Sequence, residues 1–189
     1  MNYKIEKLKE LERVKKLSII GFFVIAIIGT LLHFAFKFSG NNLFVATFSA
    51  VNESVWEHLK IAVMPTFLWT IIELIILKYR QDNLWSSLLV KIVTIVTTIT
   101  LGYYTYTAIL GKHITWLSML LFYIAIMLGQ IFSYKEITSK PVKVKYEEIS
   151  KYLVIIIFVM FVFFTFLPPK LDIFKDESTS TYGVFEIKY

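Results

Sequence analysis

The run "LSIIGFFVIAIIGTLLHFAF", Leu17 to Phe36, contains one ionisable side chain, His33, in twenty otherwise apolar or small residues. A hydrocarbon core about 30 Å thick needs roughly 20 residues of helix. Lipid offers no partner for a bare amide, so such a stretch crosses as a helix that satisfies its own backbone. Four further runs repeat the pattern. "IAVMPTFLWTIIELIILKY" continues a polar opening into a second span, roughly Asn52 to Leu77. Leu84 to Leu110 form a third and Ile114 to Phe132 a fourth. A shorter fifth, Tyr152 to Leu167, is closed by Pro168 and Pro169. The third and fifth are rich in β-branched residues, but their length argues against strands. No internal repeat is visible.

Composition agrees. The 189 residues are 57% hydrophobic and 17% aromatic, with a mean hydropathy of +0.66, outside the soluble globular range. A net charge of +6 and a pI near 9.3 could suit nucleic acid, but the charges lie in clumps between apolar runs. Membrane lipid is the expected partner, and nucleic acid is not. The absence of cysteine excludes disulfides, thiol catalysis and thiolate metal sites. No glycine-rich phosphate loop can be found among seven glycines. The expected fold is all-α, a polytopic transmembrane bundle of five spans.

Orientation follows the lysines and arginines. Lys4, Lys7, Lys9, Arg13, Lys15 and Lys16 precede the first span. Lys78 and Arg80 follow the second, and Lys135, Lys140, Lys143, Lys145 and Lys151 follow the fourth. The other side carries only Lys37, Lys112, Lys170, Lys175 and Lys188. The N-terminus is therefore expected inside and the C-terminus outside. That divides the chain into a cytoplasmic basic segment (1–16), a transmembrane domain (17–167) and an external tail (168–189). The first run exceeds a signal h-region and lacks a small-x-small cleavage site, so it reads as an uncleaved anchor. Residues 1–16 fit either a headgroup-level amphipathic helix or a solvated extension of the first span.

The polar chemistry is concentrated in "NESVWEHLK", Asn52 to Lys60, at the external end of the second span. On a helix with Glu53 at zero, Glu57 falls at about 40°, Ser54 at about 100°, His58 at about 140° and Lys60 at about 340°. Ionisable groups in a membrane face the bundle or a cavity, so this stripe is expected to turn inward. Helix-end chemistry accounts for part of it. Asn52 suits an N-cap, Ser54 and Glu57 fit a capping box, both glutamates suit the dipole, and Trp56 suits an aromatic belt. Capping does not account for His58 beside a second carboxylate, with His33 and His113 at similar depth.

Three functions compete for these residues, and they leave enzyme status open. A structural or binding site in the outer half of the bundle needs the fewest assumptions. A divalent metal such as zinc on His33, Glu53, Glu57, His58 and His113 could instead activate water against a lipid ester or amide. Glu53, Glu57 and His58 would then be the catalytic candidates, although E-x-x-x-E-H is no established zinc signature. Proton- or ion-coupled transport is the third, because paired carboxylates share a proton and histidine titrates near neutrality. Ser54 is expected to be occupied in capping, which disfavours serine catalysis. Elsewhere, Glu73 and Lys91 sit at matching depth and predict a structural ion pair. Pro65 is expected to kink the second helix. Gln130 is expected to pack or snorkel at the inner boundary. Asp172 and Asp176 lack the ligand density of a calcium loop.

Together "SGNN", "NESVWEHLK" and "FLPPKLDIFKDESTSTYGVF" resemble a family of small bacterial multi-pass membrane proteins of unknown function, from about His33 to the tail. The resemblance implies a multi-pass protein of the bacterial cell membrane and brings no activity. The family form carries a proline and a glycine near "KDESTS", where Glu177 and Ser180 stand here.

Overall fold

The computed structural model describes residues 2–77 and 82–186, with side chains from residue 8 onward. Lys78, Arg80 and Lys188, and the side chains of Lys4 and Lys7, all counted for orientation, lie outside the described set. Six α-helices form in chain order: α1 (Asn2–Phe38), α2 (Leu43–Ala46), α3 (Val55–Leu77), α4 (Leu84–Leu110), α5 (Thr115–Ile137) and α6 (Val144–Phe166). A 3₁₀ turn follows at Asp172–Phe174. No strand forms among the described residues. All helices but α2 are long and apolar enough to cross a membrane.

Boundaries differ from the hydropathy reading where polar residues continue a helix. Residues 2–16 extend the first span without a break, so α1 is one 37-residue helix. "YEEISKY" likewise lies inside α6, where the Glu147 carboxylate accepts the free backbone N–H groups of Trp85 and Ser86 at the start of α4. Those donors have no intrahelical partner. The start of the second span moves the other way. Asn52 and Glu53 precede the helix, because Ser54 is its cap.

Long helices that alternate in direction bring the ends of α1, α4 and α6 to the starts of α3 and α5. This end of the bundle carries His33 and the tail; Glu73 and Lys91 mark the opposite end. α4 packs along α5, α1 lies against α3 and α5, and α6 lies against α4. Leu59, Ala62, Val63 and Met64 of α3 meet Leu88, Ile92, Ile95 and Ile99 of α4 in the core. Pro65 does not end α3. It leaves the Ile61 carbonyl without its usual donor, and α1 comes very close there. A Cβ on Gly29 would stand 2.6 Å from that oxygen and 2.7 Å from the Phe122 ring. Only glycine allows helices this near.

Candidate functional site

The segment before α3 is built by its own side chains. Ser54 Oγ accepts the Glu57 N–H at 3.3 Å, and Asn52 Oδ1 accepts the Ser54 N–H at 3.0 Å. The capping box is thus half formed: Glu57 does not return to the Ser54 amide but accepts from Val51 N at 3.1 Å. The tail holds the same segment from the other side. Asp176 Oδ2 accepts the Glu53 N–H at 2.8 Å, and Asn52 Nδ2 reaches the Gly183 carbonyl at 3.5 Å. Trp56, partly buried, packs against the rings of Phe161, Phe164 and Phe174.

Of the five metal candidates, three converge. A ligand atom from each of His33, Glu53 and His58 lies within 4.8 Å of the other two. His33 Nε2 is 3.9 Å from Glu53 Oε1, and His58 Nε2 is 3.6 Å from Glu53 Oε2. The Ser54 carbonyl, 2.9 Å from His58 Nδ1, can only accept, so Nδ1 carries a proton, and Nε2, which faces Glu53, is the nitrogen that can ligate an ion. An outer hydrogen bond that fixes the ligating nitrogen in this way is the usual companion of a metal histidine. Bonds of about 2.0–2.1 Å to a tetrahedral ion put ligands about 3.4 Å apart. Shifts of about 1 Å therefore suffice to close the triangle around an ion.

Glu57 does not join this group. Its carboxylate meets Lys60 Nζ at 2.6 Å, and both side chains are buried. Lys60 places its other protons on the Ala46 carbonyl at 2.8 Å and on Thr165 Oγ1 at 2.7 Å. An ammonium with three partners is satisfied, and the carboxylate it neutralises is withdrawn from the stripe. His113, in the turn between α4 and α5, stands across from the cluster. Its Nε2 is 3.0 Å from Ser118 Oγ, and its ring is 5.9 Å from that of Tyr103. Partial burial of the ring and the nearby His58 lower the His113 pKa, with Glu53 acting the other way.

All three histidines of the chain line one cavity of about 560 Å³. Glu53, Tyr103, Thr115, Ser118 and Glu177 add to its polar wall. Ile61, Ile99, Leu121 and Phe122 make the rest apolar. The Tyr103 hydroxyl donates to Glu177, tying α4 to the tail.

Asp176 went unrecognised in the sequence as a support of the site. Burial works to raise its pKa, but hydrogen bonds from the Ser178 hydroxyl and from the Glu53, Thr179 and Ser178 amides prevail and hold it at about 2. The D-x-S-T pattern of an Asx turn was legible; its second oxygen's partner, 123 residues away, was not. At the opposite end of the bundle, Glu73 accepts from Lys91 Nζ at 2.9 Å and from Trp69 Nε1 at 2.8 Å. Gln130 is buried beside them, with no partner for its amide among the described residues.

An all-α bundle of five membrane-length helices, with its histidines gathered in one cavity at one end, defines the class of the molecule. The chain belongs to the DUF6512 family, a family of unknown function whose model matches residues 6–184. No curated protein and no solved structure matches it.

Proposed function

We propose that the chain is a multi-pass protein of the bacterial cell membrane, N-terminus inside and C-terminus outside. In this reading its outward-facing cavity binds a divalent transition-metal ion on His33, Glu53 and His58. The orientation rests on the asymmetry of lysine and arginine. The observation that carries the metal assignment is the convergence of two imidazoles and one carboxylate, with the Ser54 carbonyl dictating which nitrogen of His58 is free. Two histidines and a carboxylate suit zinc, and three protein ligands leave coordination open toward the cavity.

Binding is favoured over hydrolysis because the second carboxylate of the motif is already engaged. Glu57, the natural base for a metal-bound water, is neutralised by Lys60. Transport is disfavoured by the packing below the cavity, where Ile25, Ala26 and Ile126 are buried between the histidines and the Glu73–Lys91 pair. Calorimetric titration of chelator-stripped protein with Zn²⁺ tests the proposal. One site per chain is expected, lost in His33→Ala, Glu53→Gln and His58→Ala. Binding that survives in all three variants would remove it.

A further inference from the structure

We infer that the cavity takes a single-chain amphiphile whose anionic oxygen headgroup, carboxylate or phosphate, ligates the metal, and whose chain enters sideways from the bilayer between α1 and α5. This rests on the metal reading above. The cavity is divided by polarity. Its histidine-lined end offers imidazoles and hydroxyls, whereas Ile61, Ile99, Leu121 and Phe122 can only contact hydrocarbon. A small soluble anion would satisfy the first half and leave the second facing water.

The floor is sealed. The Gly29 backbone abuts Ile61 and Phe122, and the Thr30 and Tyr123 hydroxyls meet at 3.2 Å between α1 and α5. Above that seal the wall between these helices is formed by Phe34 and Met119. Both line the cavity, yet they are 47% and 50% exposed. Side chains that face the interior and the lipid at once mark a lateral opening.

Volume limits the occupant. At about 30 Å³ per non-hydrogen group, the share of a liquid water molecule, 560 Å³ holds roughly twenty groups. That is a headgroup and one chain, not two.

Charge selects the headgroup. A divalent ion on one carboxylate and two neutral imidazoles keeps a net positive charge, which favours an anionic oxygen at the open position. Glu177 also faces the cavity. Its hydrogen bond from Tyr103 holds it on the α4 side without removing its charge. The positive charge that draws the headgroup is therefore local to the ion and its own ligands, and no more than one further anion is accommodated. A chain already in the bilayer gains little by moving to an equally apolar pocket. Among bilayer amphiphiles discrimination therefore falls on the headgroup, and enrichment in the bilayer beside the opening is what sets them apart from a soluble anion at equal total concentration.

The test uses the full chain in nanodiscs of neutral lipid, loaded with Co²⁺, whose visible bands report its ligands. Palmitate or hexadecyl phosphate, each of roughly twenty non-hydrogen atoms, should shift the bands. Hexadecanol, acetate and inorganic phosphate at equal concentration should not. Met119→Trp at the opening and the milder Leu121→Phe within should keep the Co²⁺ bands and lose the palmitate response. An equal shift with acetate or phosphate overturns the inference in favour of a free-anion site. An equal shift with hexadecanol overturns the role of the charged headgroup. Unshifted bands with both lipids, or a full response in both variants, reject the amphiphile while sparing the metal centre. No cobalt bands at all would reject the metal reading and this inference together.

Discussion

Glu57 and Lys60 form an ion pair at 2.6 Å, and neither side chain has more than 2% of its surface exposed. Two charges one helical turn apart neutralise each other and so release Glu53, just outside the helix, to face the histidines. Removing one partner of a buried pair strands the other charge, at a cost of about 3–5 kcal/mol. Glu57→Gln and Lys60→Met should each lower the melting temperature in detergent sharply, whether or not metal is added. Zinc stoichiometry should stay at wild-type level in whatever folded protein remains. Loss of zinc without loss of stability in Glu57→Gln would restore Glu57 as a ligand.

Zinc should itself stabilise the fold. An ion that binds only the native state adds about 2.7 kcal/mol at a hundredfold excess over its dissociation constant. Thermal unfolding with and without zinc should show that gain in wild type and none in His58→Ala. An equal gain in both would point to metal bound elsewhere.

Asp176 links the tail to Glu53, and its pKa sets an acid limit on that link. A carboxyl lowered from 3.8 to about 2 contributes about 2 kcal/mol at ~1.36 kcal/mol per unit. Because the folded value is the lower one, this stability is fully present above the unfolded pKa. It is lost as pH falls from about 4 through 2. Asp176→Asn should therefore be less stable than wild type at pH 6, and the two should converge near pH 2. Melting curves recorded with chelator test this; a constant gap across that range would contradict it.

Ser180 occupies the left-handed region at φ 59°, where a Cβ costs about 1–2 kcal/mol. Ser180→Gly should raise stability by about 1 kcal/mol. Gly183→Ala should lower it, since a Cβ would sit 2.8 Å from the Pro168 ring and 2.9 Å from the Thr165 carbonyl at φ 58°. Denaturant midpoints of the two variants should move in opposite directions, and shifts of the same sign would contradict the turn geometry.

A chain without cysteine permits a clean test of orientation. Lys112→Cys, at the histidine end, should react with an impermeant maleimide on intact cells. Lys140→Cys, at the other end, should react only after permeabilisation. The reverse pattern would invert the topology.

The five long helices were legible because bilayer thickness imposes a length that few soluble sequences imitate. Convergence of His33 with His58 was partly legible, since both lie near the same end of neighbouring apolar runs. Where Glu53 points was not. A 100° wheel places it on α3, but Ser54 caps that helix and leaves Glu53 on the preceding bend. The pairing of Glu57 with Lys60 was available as i,i+3 spacing, yet both residues look equally suited to an open polar stripe until Thr165 and Ala46 close around them. The tail's part in the site depends on contacts more than a hundred residues apart, which local pattern does not encode. Asn83 is a similar case at the opposite end. Its amide binds the Glu136 and Lys140 carbonyls and the Val142 N–H across the connection between α5 and α6.

Elemental analysis of protein purified in mild detergent without chelator tests the central claim most directly. About one zinc or similar ion per chain is expected in wild type and in Glu57→Gln, and essentially none in His33→Ala or Glu53→Gln. A metal-free wild-type protein, or metal retained undiminished when His33 and Glu53 are replaced, would contradict the account.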